Sequence, residues 1–159
     1  MRKIQFLLDM KKEAKLELVE PSEDIAEAYL EKSDSHFDSA KILIKFNRLE
    51  ESVSLAYYGM YHCLLALLFK CGIKSENHAV SILLLKELFK EEELAKEISF
   101  GKKERVDKQY YIDFNLTKLD AEDMLKKSEN FIIKCKLLIK NVDNDRMHEL
   151  RQELKEVIS

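Results

Sequence analysis

Residues 49–71 read LEESVSLAYYGMYHCLLALLFKC, and this stretch decides the fold. Apolar side chains recur along it at the spacing of an α-helix, and a second apolar and aromatic row lies beside the first. Nearly the whole circumference is therefore apolar, which is typical of a helix surrounded by other helices. The first row is Val53, Ala56, Tyr57, Met60, Leu64, Leu67, Leu68 and Cys71, and the second is Leu55, Tyr58, His62, Leu65, Ala66 and Phe69.

A membrane span is the other structure that such a stretch could form. Its continuously apolar part, Leu55 to Phe69, is shorter than the roughly 20 residues that cross a bilayer, and it carries His62 near its centre. The pattern therefore favours a buried central helix from about Leu49 to Cys71, and we expect no membrane partner.

The composition indicates one helical domain. The chain has 159 residues, of which 46% are apolar and 36% charged, with only three glycines and one proline to interrupt regular segments. The net charge of −3 argues against a general polyanion-binding protein, and we expect no DNA partner. Cys63, Cys71 and Cys135 form no CxxC pair, and no signal peptide is visible, so we expect reduced thiols in a cytoplasmic protein.

Weaker periodic segments flank the central helix. We expect a first helix over about Arg2–Val19, and a second from an N-cap at Ser22 to about Phe46, with a break at Ser33–Ser35. Gly72 is well placed to end the central helix.

Four further segments follow. Asn77 is expected to cap a short helix, and a helix over Glu91–Phe100 is expected to end at Gly101. Asp120 is expected to cap a long helix to about Val142, and a last helix covers residues 143–159. In the short helix, the residues expected to face inward are Ala79, Ile82, Leu83 and Leu85. The predicted fold class is all-α: an antiparallel up-and-down bundle of about five core helices with extra terminal helices, in a single domain over residues 1–159.

The common catalytic signatures are missing from the sequence. It contains no GxxxxGK, GxGxxG, HExxH or GxSxG motif. The histidines, at positions 36, 62, 78 and 148, have no His or Cys partner at a metal-ligand spacing. We therefore expect neither a metal nor a cofactor.

Three short segments stand out together. The central helix contains Ala56-Tyr-Tyr-Gly-Met-Tyr-His62, a turn contains Asn77-His-Ala-Val80, and Arg105-Val-Asp-Lys-Gln-Tyr-Tyr111 follows later. In this order and spacing the chain resembles the HEPN family (higher eukaryotes and prokaryotes nucleotide-binding domain), and the stand-alone prokaryotic branch in particular. The resemblance covers about residues 33–140.

The resemblance implies a bundle of four to five helices that often forms a homodimer and is frequently encoded beside a minimal nucleotidyltransferase. Many members are metal-independent ribonuclease toxins with an R-x4-6-H motif, which a partner neutralises. Arg105 matches the family arginine, but Tyr110 stands where a histidine would be. Gln109 replaces an aspartate that is usual in this branch, and Leu55 stands where an arginine often lies.

The exchange at position 110 bears on the chemistry. Such a ribonuclease needs a base for the 2′-hydroxyl and a cation for the phosphate, and Arg105 can be the cation. A tyrosine hydroxyl has a pKa of about 10 in water, so it is protonated at neutral pH and is a poor base. Positions 105 and 110 also lie about 140° apart on a continuous helix. Their side chains would converge only if a helix began between them or if a second copy contributed one of them.

Three hypotheses follow. In the first, the chain is a nucleotide- or RNA-binding module, part of a toxin–antitoxin type pair with a nucleotidyltransferase. In the second, it is a weak metal-independent ribonuclease with Arg105 and Tyr110 as catalytic residues. In the third, it is a structural dimerisation domain, with Tyr58 and His62 packed in the core or an interface and His78 holding a turn. The candidate binding residues are Arg105, Tyr110, Tyr111, Tyr58, His62 and His78.

Overall fold

The computed structural model describes residues 2–110 and 115–159, and for residues 106–110 it describes the backbone alone. The described residues form seven helices and one pair of short strands, which confirms the all-α prediction. The elements are α1 (Arg2–Lys12), β1 (Leu16–Leu18), α2 (Glu23–Lys45), α3 (Leu49–Lys70), β2 (Ile73–Ser75), α4 (His78–Glu87), α5 (Glu92–Tyr110), α6 (Lys118–Asn141) and α7 (Asn144–Ile158).

Helix α3 lies at the centre, as its two apolar rows predict. It packs against α2, α5 and α6, and Tyr57, Met60 and Leu64 on it are fully buried. By length and composition α3 could cross a membrane, but 78% of its most apolar window is buried inside the fold. Burial by neighbouring helices satisfies its apolar surface.

Buried serines attach α3 to the helices on either side. The hydroxyl of Ser33 on α2 donates to the carbonyl oxygen of Gly59 at 2.6 Å, and Ser128 on α6 donates to that of Ala56 at 2.7 Å. The predicted break at Ser33–Ser35 was therefore wrong, because Ser33 is held inside a continuous helix by its bond to α3.

Several helix ends follow the sequence signals. Ser22 and Asn77 accept hydrogen bonds from the backbone N–H groups of Ile25 and Val80, as N-caps do. Gly72 follows α3 with a φ of +69°, a conformation that favours glycine. The long helix α6 begins earlier than predicted, because Thr117 is its N-cap and Asp120 completes a capping box from the N3 position.

Two predicted boundaries were wrong. The first helix ends at Lys12, and Leu16–Leu18 pairs antiparallel with Ile73–Ser75 instead of continuing it. This pairing buries Leu16 completely. Helix α5 does not end at Gly101, which lies buried in its middle. A Cβ atom there would approach Met124 and Met60, so this glycine permits close helix packing.

The C-terminal helix is fastened to the turn after α3. Nη1 of Arg151 on α7 lies within hydrogen-bond distance of three backbone carbonyl oxygens: those of Val19 at 2.8 Å, Cys71 at 3.1 Å and Gly72 at 2.8 Å. A side chain at position 72 would collide with this guanidinium. The turn therefore requires glycine for its backbone angle and for space.

Candidate nucleotide-binding site

The side chain of Arg105 lies across the aromatic face of α3. Its Nη1 donates a hydrogen bond to the hydroxyl of Tyr58 at 3.1 Å. Its guanidinium carbon lies 5.3 Å from the ring centroid of Tyr58 and 5.4 Å from that of Tyr57. These distances are those of cation–π contacts, which hold the guanidinium in one place.

His78 is the first residue of α4, and its side chain lies against the tyrosines of α3. Its Nδ1 lies 2.7 Å from the hydroxyl of Tyr57, and its ring stacks on Tyr61 with centroids 3.7 Å apart. Burial, and then the positive charges of Arg105 and Lys102, lower the pKa of His78 to about 4. The imidazole is therefore neutral at pH 7.

Tyr57 determines which nitrogen of His78 carries the proton. Burial raises the pKa of Tyr57 well above its ordinary value, so the hydroxyl keeps its hydrogen. Nδ1 of His78 is the one acceptor that the described residues offer this hydroxyl. We therefore assign Tyr57 as donor and Nδ1 as acceptor, which leaves the proton of the neutral imidazole on Nε2.

A stack of four half-buried rings runs along the α2–α3 contact beside Tyr58. Successive centroids are 5.3 Å apart for Phe69 and Tyr29, 5.8 Å for Tyr29 and His62, and 4.8 Å for His62 and His36. We call Phe69, Tyr29, His62 and His36 the ring stack. Burial, followed by the charges of His36 and Lys32, lowers the pKa of His62 to about 4. Burial and Lys32 also lower the pKa of His36.

The electrostatic surroundings of these histidines are positive. Among residues 2–105 and 115–159, the charged groups that shift the three pKa values are Lys32, Lys102, Arg105 and the histidines themselves, and no carboxylate contributes. Arg105 forms no salt bridge with any residue in 2–105 or 115–159, and its buried Nε has no hydrogen-bond partner there. An arginine without a carboxylate partner, among other cations, is suited to hold an anionic ligand.

The structure brings together four of the six predicted binding residues: Arg105, Tyr58, His62 and His78. The side chain of Tyr110 and the whole of Tyr111 lie outside the described part of the chain. Helix α5 is continuous from Arg105 to Tyr110, so no helix begins between them. The side chains at positions 105 and 110 could therefore converge only if a second copy of the chain contributed one of them.

Sequence reasoning missed the contribution of helix α2. Tyr29 and His36 lie two turns apart on α2, as His62 and Phe69 do on α3, and the four rings interleave. The matching i, i+7 spacing of the two pairs is the signal in the sequence for this arrangement. Tyr57 and Tyr61 are buried and also position His78.

Comparison with known families agrees with this geometry. The model of the HEPN domain matches residues 26–138. The chain belongs to the HEPN domain family. The matched region runs from α2 to near the end of α6, and so it contains Arg105, Tyr58, His62 and His78. A search of curated proteins found no significant match.

Membership indicates, in general terms, a module related to nucleotides or RNA. Within residues 2–105 and 115–159, no group of three or more His, Cys, Asp or Glu side chains could hold a metal ion. Cys63, Cys71 and Cys135 are buried free thiols, as expected.

Proposed function

We propose that this HEPN chain binds a phosphate group of a nucleotide or an RNA segment at Arg105, as one member of a toxin–antitoxin type pair with a nucleotidyltransferase. The observation that carries the proposal is that the Arg105 guanidinium is held in place without a described carboxylate partner. The guanidinium is held by Tyr57 and Tyr58, and it forms no salt bridge with a described carboxylate. Lys102, one helical turn before Arg105, adds positive charge at His78 although the chain as a whole carries −3.

The arrangement suits phosphate binding in two ways. Tyr58 engages Nη1, so the guanidinium is oriented before a ligand arrives and loses little side-chain freedom on binding. Nε2 of His78 carries a proton in the tautomer assigned above, so this imidazole can donate a hydrogen bond to a phosphate oxygen. Arg105 supplies the charge, and His78 supplies a neutral donor beside it.

Substitution of Arg105 tests the proposal. Binding of adenosine 5′-monophosphate and of a fluorescein-labelled oligoribonucleotide would be measured by calorimetry and by fluorescence anisotropy. We expect Arg105→Ala to weaken both by about tenfold or more, because a charged hydrogen bond to phosphate is lost. Arg48→Ala removes the same charge at an exposed position before α3 and serves as the control. Equal affinity of Arg105→Ala and wild type for both ligands would refute the proposal.

The proposed nucleotidyltransferase partner has its own test. A tyrosine close to this motif accepts a nucleotidyl group in some relatives, so Tyr110 and Tyr111 are candidate acceptors. In that step the tyrosine oxygen bonds to the α-phosphorus of a nucleoside triphosphate, and pyrophosphate leaves with the bond electrons. Intact-mass spectrometry after co-expression with a neighbouring nucleotidyltransferase should show the added nucleotide. An unchanged mass would argue against this partnership.

RNA cleavage is the second candidate, and one observation favours it: two histidines lie near the Arg105 site although position 110 is a tyrosine. The charge of Arg105 acts on His78, and His62 contacts Tyr58, which Arg105 bonds. Both histidines are neutral at pH 7, but with pKa values of about 4 they are weak bases, and Nδ1 of His78 is occupied by Tyr57. Binding is therefore the better-supported function. If neither ligand binding nor cleavage depends on Arg105, the chain is the structural dimerisation domain of the third hypothesis.

A further inference from the structure

A groove between α4 and α5 adjoins the proposed phosphate site. Its volume is about 540 Å³. Of the four α4 residues expected to face the core, Leu85 is buried, Ile82 and Leu83 pack partly against the core and also line the groove, and Ala79 is exposed. The lining residues are Ala79, Ile82, Leu83, Lys86, Glu92, Ala95, Lys96, Ser99 and Lys102. Apolar side chains therefore form part of a wall that remains open to solvent.

The charges of the groove complement a polyanion. Among the described lining residues, Lys86, Lys96 and Lys102 lie with one carboxylate, that of Glu92. Lys96 makes a loose, exposed ion pair with Glu93 at 3.4 Å, which is worth little in water. Lys86 and Lys102 have no ion-pair partner among residues 2–105 and 115–159. Three ammonium groups around an apolar wall are suited to the phosphates and bases of a nucleic-acid strand.

The groove is continuous with the site at Arg105. Lys102 lines the groove and lies one helical turn before Arg105 on α5, and its charge also acts on His78. Ala79, at the same end of the groove, follows His78 directly. A strand with one phosphate at Arg105 would therefore have its next nucleotide within reach of the Lys102 end of the groove.

The length of the groove indicates more than one nucleotide. Ala79 and Lys86 lie seven residues apart on α4, which corresponds to about 10 Å at 1.5 Å per residue. A stacked single strand advances about 3.4 Å per nucleotide, so about three nucleotides, or fewer if extended, cover this distance.

We propose that the ligand is a single-stranded RNA segment, with one phosphate at Arg105 and the following nucleotides in the α4–α5 groove. This inference rests on the proposed phosphate site, and it names an oligonucleotide rather than a mononucleotide as the ligand. Leu83 and Ile82 contact the bases, and Lys86 and Lys96 contact the backbone phosphates farther from Arg105.

Charge changes at solvent-exposed groove positions test the inference. The double variant Lys86→Ala, Lys96→Ala should weaken the binding of an oligoribonucleotide and leave the affinity for adenosine 5′-monophosphate unchanged. The slope of log affinity against log salt should fall by about 1.4, because each phosphate contact on a single strand contributes about 0.7. Lys12→Ala, Lys140→Ala removes the same charge from exposed positions on α1 and α6 and should change neither quantity.

At position 99 a positive and a negative side chain can be compared in the same place. Ser99 is exposed on α5 and lines the groove, so a longer side chain there leaves the core untouched. Ser99→Lys should strengthen oligonucleotide binding, and Ser99→Glu should weaken it by a similar factor.

The outcomes separate this inference from the proposed function. If Arg105→Ala loses both ligands while the lysine and Ser99 variants bind the oligonucleotide like wild type, the groove inference is overturned and the phosphate site stands. If Arg105→Ala binds both ligands normally, both proposals fall. If the wild type binds adenosine 5′-monophosphate but no oligonucleotide, the groove inference alone is overturned. The inference is supported only when Arg105→Ala weakens both ligands and the groove variants affect the oligonucleotide alone.

Discussion

The hydroxyl of Tyr57 donates to Nδ1 of His78 across 2.7 Å, so a buried residue of α3 holds the first residue of α4. The same imidazole lies against Tyr61, and Arg105 rests on the rings of Tyr57 and Tyr58. The side chains proposed to bind phosphate are therefore fixed by the most buried helix of the protein. Such support limits the movement of a binding group before and after the ligand arrives.

Stability should depend on pH through the histidines. His62 and His78 have a pKa of about 4 in the folded chain, whereas an unfolded histidine titrates near 6.5. Below pH 6.5 the unfolded chain therefore binds more protons, and the free energy of unfolding falls as the pH decreases toward 4. Above pH 6.5 this contribution is fully present. Urea unfolding at a series of pH values measures the slope.

A matched pair of variants isolates this effect from the titration of carboxyl groups, which all variants share. His62→Gln should flatten the slope between pH 6.5 and 4, whereas His148→Gln, at an exposed position on α7, should keep it. An unchanged slope in His62→Gln would show that His62 does not resist protonation in the fold.

Arg151→Ala should lower the free energy of unfolding by about 2–3 kcal/mol. The substitution removes a charged donor from three partly buried carbonyl oxygens, those of Val19, Cys71 and Gly72. Arg146→Ala, which removes an exposed ion pair with Glu149 on the same helix, should cost less than about 1 kcal/mol. Chemical denaturation of both variants measures the difference, and equal losses would contradict the fastening role of Arg151.

Leu64→Asp should cost several kcal/mol, because Leu64 is 0% exposed at the centre of α3 and the new charge would have no partner. Leu119→Asp, at a 65% exposed position in the first turn of α6, should be nearly neutral. Thermal melts of the two variants give the comparison. A Leu64→Asp protein as stable as wild type would disprove the central position of α3.

We expect a homodimer in solution. Phe46 is 74% exposed, Ile42 one turn earlier on α2 is 55% exposed, and apolar surface of this kind marks contact sites. Light scattering should give twice the chain mass, and Ile42→Glu, Phe46→Glu should shift the protein toward the monomer. A monomeric wild type at all practical concentrations would exclude any site shared between two copies.

Tyr110→His should raise RNA cleavage above the wild-type level. An imidazole with a pKa near 6.5 is partly deprotonated at neutral pH and can accept the proton of a 2′-hydroxyl. Cleavage of a 5′-labelled RNA would be followed on gels, with Tyr110→Phe as the control. The gain should disappear when Arg105→Ala is added. Identical cleavage by the histidine and phenylalanine variants would show that position 110 does not take part.

Local chemistry explains which parts of the fold the sequence predicted. Ser22 and Asn77 cap helices through hydrogen bonds to backbone three residues away, so each signal is complete within a few residues. The position of Gly101 within α5 could not be predicted from its neighbours in the sequence. A glycine after a helical pattern indicates an end, and only the packing of α5 against Met60 and Met124 shows why glycine is needed within it.

In the candidate site, too, the sequence predicted some residues and missed those whose place depends on helix packing. The residues of α3, α4 and α5 were found because their order along the chain matches a family pattern. Tyr29 and His36 were missed because their place depends on how α2 lies against α3, and neighbouring residues in the sequence do not determine that angle. The strand Leu16–Leu18 was missed for a similar reason, since its partner lies more than fifty residues farther along the chain.

The turn that follows α3 joins segments from both ends of the chain. Strand β1 comes before the HEPN-matched region, and Arg151 comes after it, yet both bind to residues 71–75 inside it. A protein trimmed to residues 26–138 would uncover the N–H and C=O groups of Ile73–Ser75 and leave the carbonyls of the turn without their cation. An open strand edge recruits other chains. The flanking segments thus cover this strand edge, and a protein that lacks them should self-associate through it.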